Sequence, residues 1–304
     1  MYPATPTVAV IVNWNLPDET RACLESLRAA DGDVPAIVLV DNGSTDDSVA
    51  IFQQCYPEVN LITLPENRGY AAANNIGIKH ALDKGAEWVL LVNNDVIIAH
   101  DAPSGLIQGV TRGGYDIVMP RIDVLGTETL WHAGAVRQRW NPLPRPLMVE
   151  DIADGAPKDV DYAVGCVLLI HRRVFERIGL LDEQYFLYYE DLDFCTRATK
   201  AGFRIGSVPS ARAWHHVSAS SRNDTPRRAY LITRQRTLWC RSQGVGFAAG
   251  VWWLAHIHGM WRGLLGGLVR RDHRLIRAII SGLSDAIRHR SVPEETIPRI
   301  SSAS

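Results

Sequence analysis

The sequence predicts an α/β protein built on an open, mostly parallel sheet flanked by helices, with a helical extension at its C-terminal end. Three observations carry that expectation. Short apolar runs rich in β-branched residues recur at regular intervals in the first part of the chain. The segments between them have helical periodicity. The last part changes character, to apolar stretches punctuated by arginine and tryptophan.

The runs Val8–Val12, Ala36–Val40, Val59–Leu64 and Trp88–Val92 read as strands. Three of them are almost continuously apolar, as strands covered on both faces are in parallel sheets. Between them, 18–30 places Cys23, Leu24 and Leu27 on one helical face behind a Pro17-Asp18 start. Ser44-Thr-Asp-Asp47 precedes Val49, Ile51 and Phe52, and 74–84 carries Ile76, Ile78, Ala81 and Leu82 up to Gly85. Strand and helix alternating in this way define an α/β sheet. Ligands of such sheets bind beyond the carboxyl ends of the strands, where Asn13, Asp41 and Asp95 fall. After about residue 115 the pattern loosens. Asp116–Met119 and Tyr162–Ile170 read as strands, and the stretch between them, with Pro142, Pro144, Pro146 and Pro157, reads as a loop-rich insertion. Helices are expected at 172–178 and 191–200, the second stopping at Gly202.

Composition sets mild bounds. With 304 residues, 46% hydrophobic and 21% charged, the chain can bury a substantial core. Cys23, Cys55, Cys166, Cys195 and Cys240 are scattered and odd in number, without a Cys-x-x-Cys, so a reducing cytosol is the natural reading. No basic segment followed by an apolar one marks the start as a signal peptide. The net charge of −1 hides an asymmetry: 204–290 holds fifteen arginines, no lysine and three aspartates, about +12, against about −13 elsewhere. Within it, 245–269 contains Trp252, Trp253 and Trp261 among leucines, alanines and glycines. It nearly reaches the roughly 20 apolar residues of a membrane span, but Arg262 at its centre would cost about 2.5–3.5 kcal/mol there. A helix lying in an anionic membrane interface fits better, with a plain helical subdomain as the alternative.

The chemistry resides in polar clusters at these boundaries. Asp41-Asn-Gly-Ser44 follows the second strand, where Asp41 could accept a hydrogen bond from a nucleoside or merely organise the turn into a helix. Asn67-Arg68-Gly69-Tyr70 precedes a helix whose N-terminus, with Arg68, suits phosphate. Asn93-Asn94-Asp95 closes the fourth strand. Asp95 suits Mg²⁺ or Mn²⁺, which prefer oxygen ligands shared with a diphosphate, and His215 in Trp214-His215-His216 is a second candidate ligand. Glu190-Asp191 follows the aromatic run Tyr185–Tyr189 and suits a general base facing an acceptor hydroxyl, although acidic residues also favour the first turn of any helix.

Together, Val10–Asn15, Asp41–Asp46, Asn67–Asn74, Asn93–Asp95, Gly165-Cys166, Glu190–Asp193 and Trp214-His215 resemble the family 2 glycosyltransferases of GT-A fold, particularly bacterial rhamnosyltransferase-like members. The likeness spans roughly residues 7–240. It implies a GT-A catalytic domain over 1–240, with a nucleotide-sugar half at about 7–115 and an acceptor half at about 116–240, followed by the helical region 241–304. It implies donor contacts from Asn13, Asp41, Asn42, Arg68, Asn93, Asn94 and Asp95, and acceptor contacts from Gly165, Cys166 and Tyr189. Asp95 and His215 would hold the metal, Asp191 would be the base, and Glu190 would orient acceptor or base. This chain has Asn93 where many relatives carry the first aspartate of Asp-x-Asp. The expected activity is inverting, metal-dependent transfer of a sugar, best L-rhamnose from dTDP-rhamnose and alternatively a UDP-sugar. The expected acceptor is a glycan or lipid-linked saccharide of the cell envelope, met in the cytoplasm or on the inner face of the plasma membrane. A nucleotidylyltransferase is disfavoured because Val8–Asn15 lacks glycine, and a non-catalytic sugar-binding module because both acidic sites are kept. Nucleic acid is disfavoured as a partner because the arginines form no polar stripe.

Overall fold

The computed structural model describes residues 6–31, 36–138, 141–216, 225–244 and 246–292. The predicted alternation is present. It runs β1 (Thr7–Asn13), α1 (Pro17–Arg28), β2 (Ala36–Asp41), α2 (Ser48–Cys55), β3 (Asn60–Thr63), α3 (Tyr70–Asp83) and β4 (Trp88–Asn93). It continues with β5 (Val96–Ile98), α4 (Ala102–Gly113), β6 (Ile117–Val124), β7 (Leu130–His132), β8 (Ala135–Gln138), β9 (Asn141–Pro146) and β10 (Lys158–Val160). Then follow β11 (Val167–His171), α5 (Arg172–Ile178), α6 (Glu190–Lys200), β12 (Ile205–His215), α7 (Thr225–Ser242), α8 (Phe247–Arg270) and α9 (His273–Ile287).

The main sheet has the order β10-β12-β6-β11-β4-β1-β2-β3, with β5 and β7 paired at β12 and β6. Strands β3, β2, β1, β4, β6 and β12 run in one direction, because β11 lies antiparallel between β4 and β6. The sheet is therefore mixed but mostly parallel. Its central strands bury nearly every side chain between two helical layers, which explains their unbroken apolar runs. Helix α3 lies so close to β1 that a Cβ at Gly77 would meet Val10 Cγ1 at 2.4 Å. Register sets the carboxyl edge: Asn13 is opposite Asp41, and Val12 is opposite Asn93. Since β12 runs the same way, His215 ends on that edge too.

Three expectations need correction. The 120–161 stretch is not merely loop. It contains the β8–β9 hairpin, in which Leu147 donates to the Gly134 carbonyl at 2.9 Å. Alternation then turns the N–H positions of 142, 144 and 146 away from β8, where a proline costs no ladder bond. Strand β11 starts at Val167 rather than Tyr162, because 162–166 turns around the α6 N-terminus. The helix expected from Asn74 starts at Tyr70, after Gly69 at φ +88°.

Residue 240 lies in the last turn of α7, and Trp239 and Cys240 are buried with Tyr185, Leu192 and Ala286 in a second core. That core binds α7 and α9 to the segment leading into α6. Trp239 meets Trp252 of α8 edge to face at 4.2 Å, a geometry aromatic rings favour. The Tyr230 hydroxyl donates to Asp285 at 3.0 Å, and a Cβ at Gly282 would stand 2.6 Å from the Tyr230 carbonyl oxygen. No helix among the described residues is long and apolar enough to cross a membrane.

Candidate active site

A cleft of about 670 Å³ opens at the carboxyl edge. Of the residues expected to act, it is lined by Asn93, Asp95, Gly165, Cys166, Tyr189, Glu190, Asp191 and His215. Asn13, Asp41, Asn42, Arg68 and Asn94 do not line it.

At the strand-end wall, β5 pairs with β12 so that His215 lies opposite Val96 and the His216 amide donates to the Asp95 carbonyl at 2.8 Å. This brings Asp95 Oδ1 to 3.1 Å from His215 Nε2. The approach is off hydrogen-bond alignment. Asp95 Oδ1 and His215 Nδ1 are buried without a hydrogen-bond partner among the described residues, although such buried atoms ordinarily have one. Trp131 packs its ring 4.5 Å from that of His215. Asp95 Oδ1 and His215 Nε2 offer two ligands at one place, and no group of three His, Cys, Asp or Glu that could hold a metal occurs among the described residues, so a divalent cation here would take its remaining ligands from a diphosphate. Asn93 is engaged elsewhere: its Oδ1 accepts from the Tyr70 hydroxyl at 2.6 Å, and that hydroxyl also reaches the Gly165 carbonyl at 3.1 Å.

Across the cleft stands the acidic pair. Tyr188 and Tyr189 both take left-handed backbone, φ +72° and +73°, immediately before α6. Left-handed conformations cost such residues about 1–3 kcal/mol each, and here they turn Glu190 and Asp191 inward. Asp191 Oδ2 accepts from Tyr162 Oη at 2.8 Å and from the Gly165 amide at 2.9 Å, while Oδ1 accepts from the Leu192 amide at 2.7 Å. Burial raises its carboxyl above the ordinary value, and these three donors oppose the rise. Glu190 has no such support: Oε2 is buried without a partner among the described residues. Burial, and secondarily the neighbouring Asp191 charge, pushes its carboxyl well above the usual range. Asp193, next on the helix, is held by Arg197 at 2.7 Å.

The other donor candidates form a network of their own. Asn94 Nδ2 donates to Thr20 Oγ1 at 3.0 Å, Thr20 to Asn13 Oδ1 at 2.7 Å, and Asn13 Nδ2 to Asp41 Oδ2 at 2.8 Å. Asp41, 1% exposed, also accepts from the Ser44 hydroxyl and amide at 2.6 and 2.9 Å. In this structure it organises the turn. Asn42 pins the next loop, accepting from the Arg68 amide at 3.0 Å and donating to Asn67 Oδ1 at 3.1 Å. The Arg68 side chain is exposed.

Sequence reasoning passed over Trp131, His132, Tyr162, Arg228 and Trp252, all of which line the cleft. Burial lowers His132 to about 4, leaving it neutral at pH 7. Burial pushes the Tyr162 hydroxyl and the Cys166 thiol well up, so neither supplies an anionic nucleophile.

An open, mostly parallel α/β sheet with polar groups facing each other across its carboxyl edge agrees with a glycosyltransferase of GT-A fold. Residues 8–179 match the family model for glycosyl transferase family 2, and the chain belongs to that family. The match ends before Glu190, Asp191 and His215. Among curated relatives, the low-salt glycan biosynthesis hexosyltransferase Agl10 of Haloferax volcanii is 29% identical over 75% of this chain and 73% of its own length. The N-acetylglucosaminyl-diphospho-decaprenol L-rhamnosyltransferase of Mycobacterium tuberculosis is 28% identical over 91% and 94%. Among solved structures, GalNAc-T7 with UDP, GalNAc and Mn²⁺ superposes with a TM-score of 0.61 at 16% identity, over 81% of this chain and 52% of that one. The chain thus spans about half of that structure, and the likeness is one of fold.

Proposed function

We propose that this glycosyltransferase moves L-rhamnose from dTDP-L-rhamnose to a lipid-linked saccharide of the cell envelope, with inversion and with a divalent cation. A UDP-sugar is the alternative donor. One observation carries the reading: the Asp95–His215 pair and the Glu190–Asp191 pair line the same cleft. The rhamnosyltransferase relative, matched over most of both chains, supports the choice of donor and acceptor.

In this reading, 7–115 holds the nucleotide sugar and 116–240 the acceptor. Asn13, Asp41, Asn42, Arg68 and Asn94 act on the donor by fixing the strand-end loops, and Gly165, Cys166 and Tyr189 wall the acceptor. Asp95 and His215 would hold Mg²⁺ or Mn²⁺, whose chemistry there is to neutralise the departing diphosphate. Asp191, whose three donors favour its ionised form against the effect of burial, takes the proton of the acceptor hydroxyl as that oxygen bonds to the anomeric carbon. The bond from that carbon to the diphosphate oxygen breaks, and its electron pair leaves with the nucleotide. Glu190 stays protonated and donates a hydrogen bond to acceptor or sugar, a division of labour between paired carboxyls with different environments.

The region 241–304, whose described part holds α8 and α9, adds contact with an anionic membrane. Phe247, Leu254, Trp261 and Leu268 are 77, 69, 60 and 62% exposed and spaced by seven, forming a stripe along α8, with Arg262, Arg270, Arg271, Arg274 and Arg277 nearby in sequence. Apolar residues flanked by arginines suit an interfacial helix. The protein would therefore work in the cytoplasm, peripherally on the inner face of the plasma membrane. The test is a transfer assay with dTDP-rhamnose, UDP-sugars and Mn²⁺, the product anomer being read by NMR. Retention of configuration, or turnover undiminished by chelation, would overturn the mechanism.

A further inference from the structure

The cleft is acidic, with Asp95, Glu190 and Asp191 in its walls, and Arg228 is the one lysine or arginine lining it among the described residues. Arg228 lies on α7, is exposed, and makes no ion pair among the described residues. The same cleft is also lined by apolar groups: Ile232 lies one turn further along α7, Trp252 comes from α8, and Pro144 and Pro146 come from β9. Beyond the buried Leu147, Met148 and Val149 are 55 and 48% exposed. A cation without an ion-pair partner among the described residues, in a cleft with apolar groups, matches an anionic group joined to an apolar one.

We propose that Arg228, with Ile232, Trp252, Pro144 and Pro146, is a subsite for the phosphate end of an isoprenoid lipid carrying the acceptor sugar. This rests on the glycosyltransferase reading of the same cleft and adds where the lipid end sits. A guanidinium matches phosphate oxygens in geometry and charge. Asp191, the base elsewhere in the cleft, disfavours a second phosphate beside it, which leaves the α7 side for one. The prolines and Trp252 cover the first isoprene unit. Trp252 belongs to α8, whose outward stripe is the membrane-facing candidate, so the chain can pass from cleft to bilayer along one helix.

The experiment is calorimetric binding to the full chain with three probes: farnesyl diphosphate, inorganic pyrophosphate and dTDP with Mn²⁺. Wild type is expected to bind farnesyl diphosphate, and Arg228→Ala to weaken it by roughly ten- to a hundredfold, the loss of a charged hydrogen bond. Arg228→Lys is expected to recover part of that affinity. Trp252→Ala is expected to weaken farnesyl diphosphate while sparing pyrophosphate, and dTDP binding is expected to hold in every variant. Equal affinity of wild type and Arg228→Ala for farnesyl diphosphate, or no binding by either, overturns the proposal. Loss of dTDP affinity in Arg228→Ala also overturns it, placing the arginine at the donor. Since no arm needs turnover, this result is separate from the transfer assay, whose failure would instead strike the glycosyltransferase mechanism.

Discussion

The amide of Gly165 donates to Asp191 Oδ2 at 2.9 Å, and a Cβ at 165 would stand 3.0 Å from the Asp191 Cβ. A backbone turn before β11 thus holds the carboxylate at the start of α6 and leaves no room for a side chain between them. Tyr162, from the same turn, supplies the second donor to that oxygen.

Asp191→Asn removes the proton acceptor while keeping the shape. Transfer should fall about 10²–10⁴-fold with donor affinity nearly intact. Tyr162→Phe should act more mildly and differently. Its hydroxyl favours the ionised carboxylate, so its loss raises the Asp191 pKa further. A base works only when deprotonated, so the acidic limb of the kcat/KM profile should move to higher pH. An unmoved limb would assign that limb to another group.

Glu190 makes a stability prediction with a defined sign. Its folded pKa is raised, so its contribution to stability is present below its unfolded value, about 4.3, and is lost as pH rises above that. Glu190→Gln removes the titration. Its Tm relative to wild type should therefore climb from acid toward neutral and alkaline pH, although transfer suffers. A constant difference across thermal melts from about pH 4 to 8 would show that Glu190 is not held protonated.

Asp95→Ala should abolish the Mn²⁺-dependent part of nucleotide-diphosphate binding and leave nucleoside binding alone. His215→Ala should do so partially. Calorimetry in which wild type binds the donor equally with and without metal would remove the metal from both residues.

Exchanging Leu254 and Trp261 for glutamine should lower sedimentation with anionic liposomes without disturbing the fold, since both are exposed. Salt should weaken binding by the wild type only in part, because each arginine near the surface adds about 1 kcal/mol and the apolar stripe persists. Equal sedimentation of variant and wild type would reject an interfacial α8.

Trp239→Ala should cost about 3–5 kcal/mol as a core truncation, measured by denaturant unfolding, and should lower transfer as well. The second core joins it to Tyr185 and Leu192, which flank the acidic pair. A loss of stability with full activity would separate that core from the site.

Much of this was legible in order along the chain. Val8–Val12 and its three successors announce themselves because both faces of each strand are covered. Asp95, Asp191 and His215 follow from where strands and helices end. Tyr162 read as strand because its neighbours are apolar, while its hydroxyl is in fact committed to Asp191. Trp131 and Arg228 belong to no local pattern, Trp252 reads from sequence as part of an interfacial helix, and only the folding of β7, α7 and α8 around the cleft brings them to it. Thr20, which links Asn13 to Asn94, looks from sequence like any polar residue in a first helical turn.

The second core also has a bearing on synthesis. Ala286, which closes over Trp239, leaves the ribosome long after Glu190 and Asp191, so the wall carrying the acidic pair lacks its final support until α9 is available. The N-terminal strands and helices, whose partners are close in sequence, can assemble earlier, as contacts of short separation generally do. An emerging chain would thus organise the strand ends carrying Asn13 and Asp41 before its acid pair, and a nascent or clipped polypeptide would be poorly equipped to squander activated sugar on water.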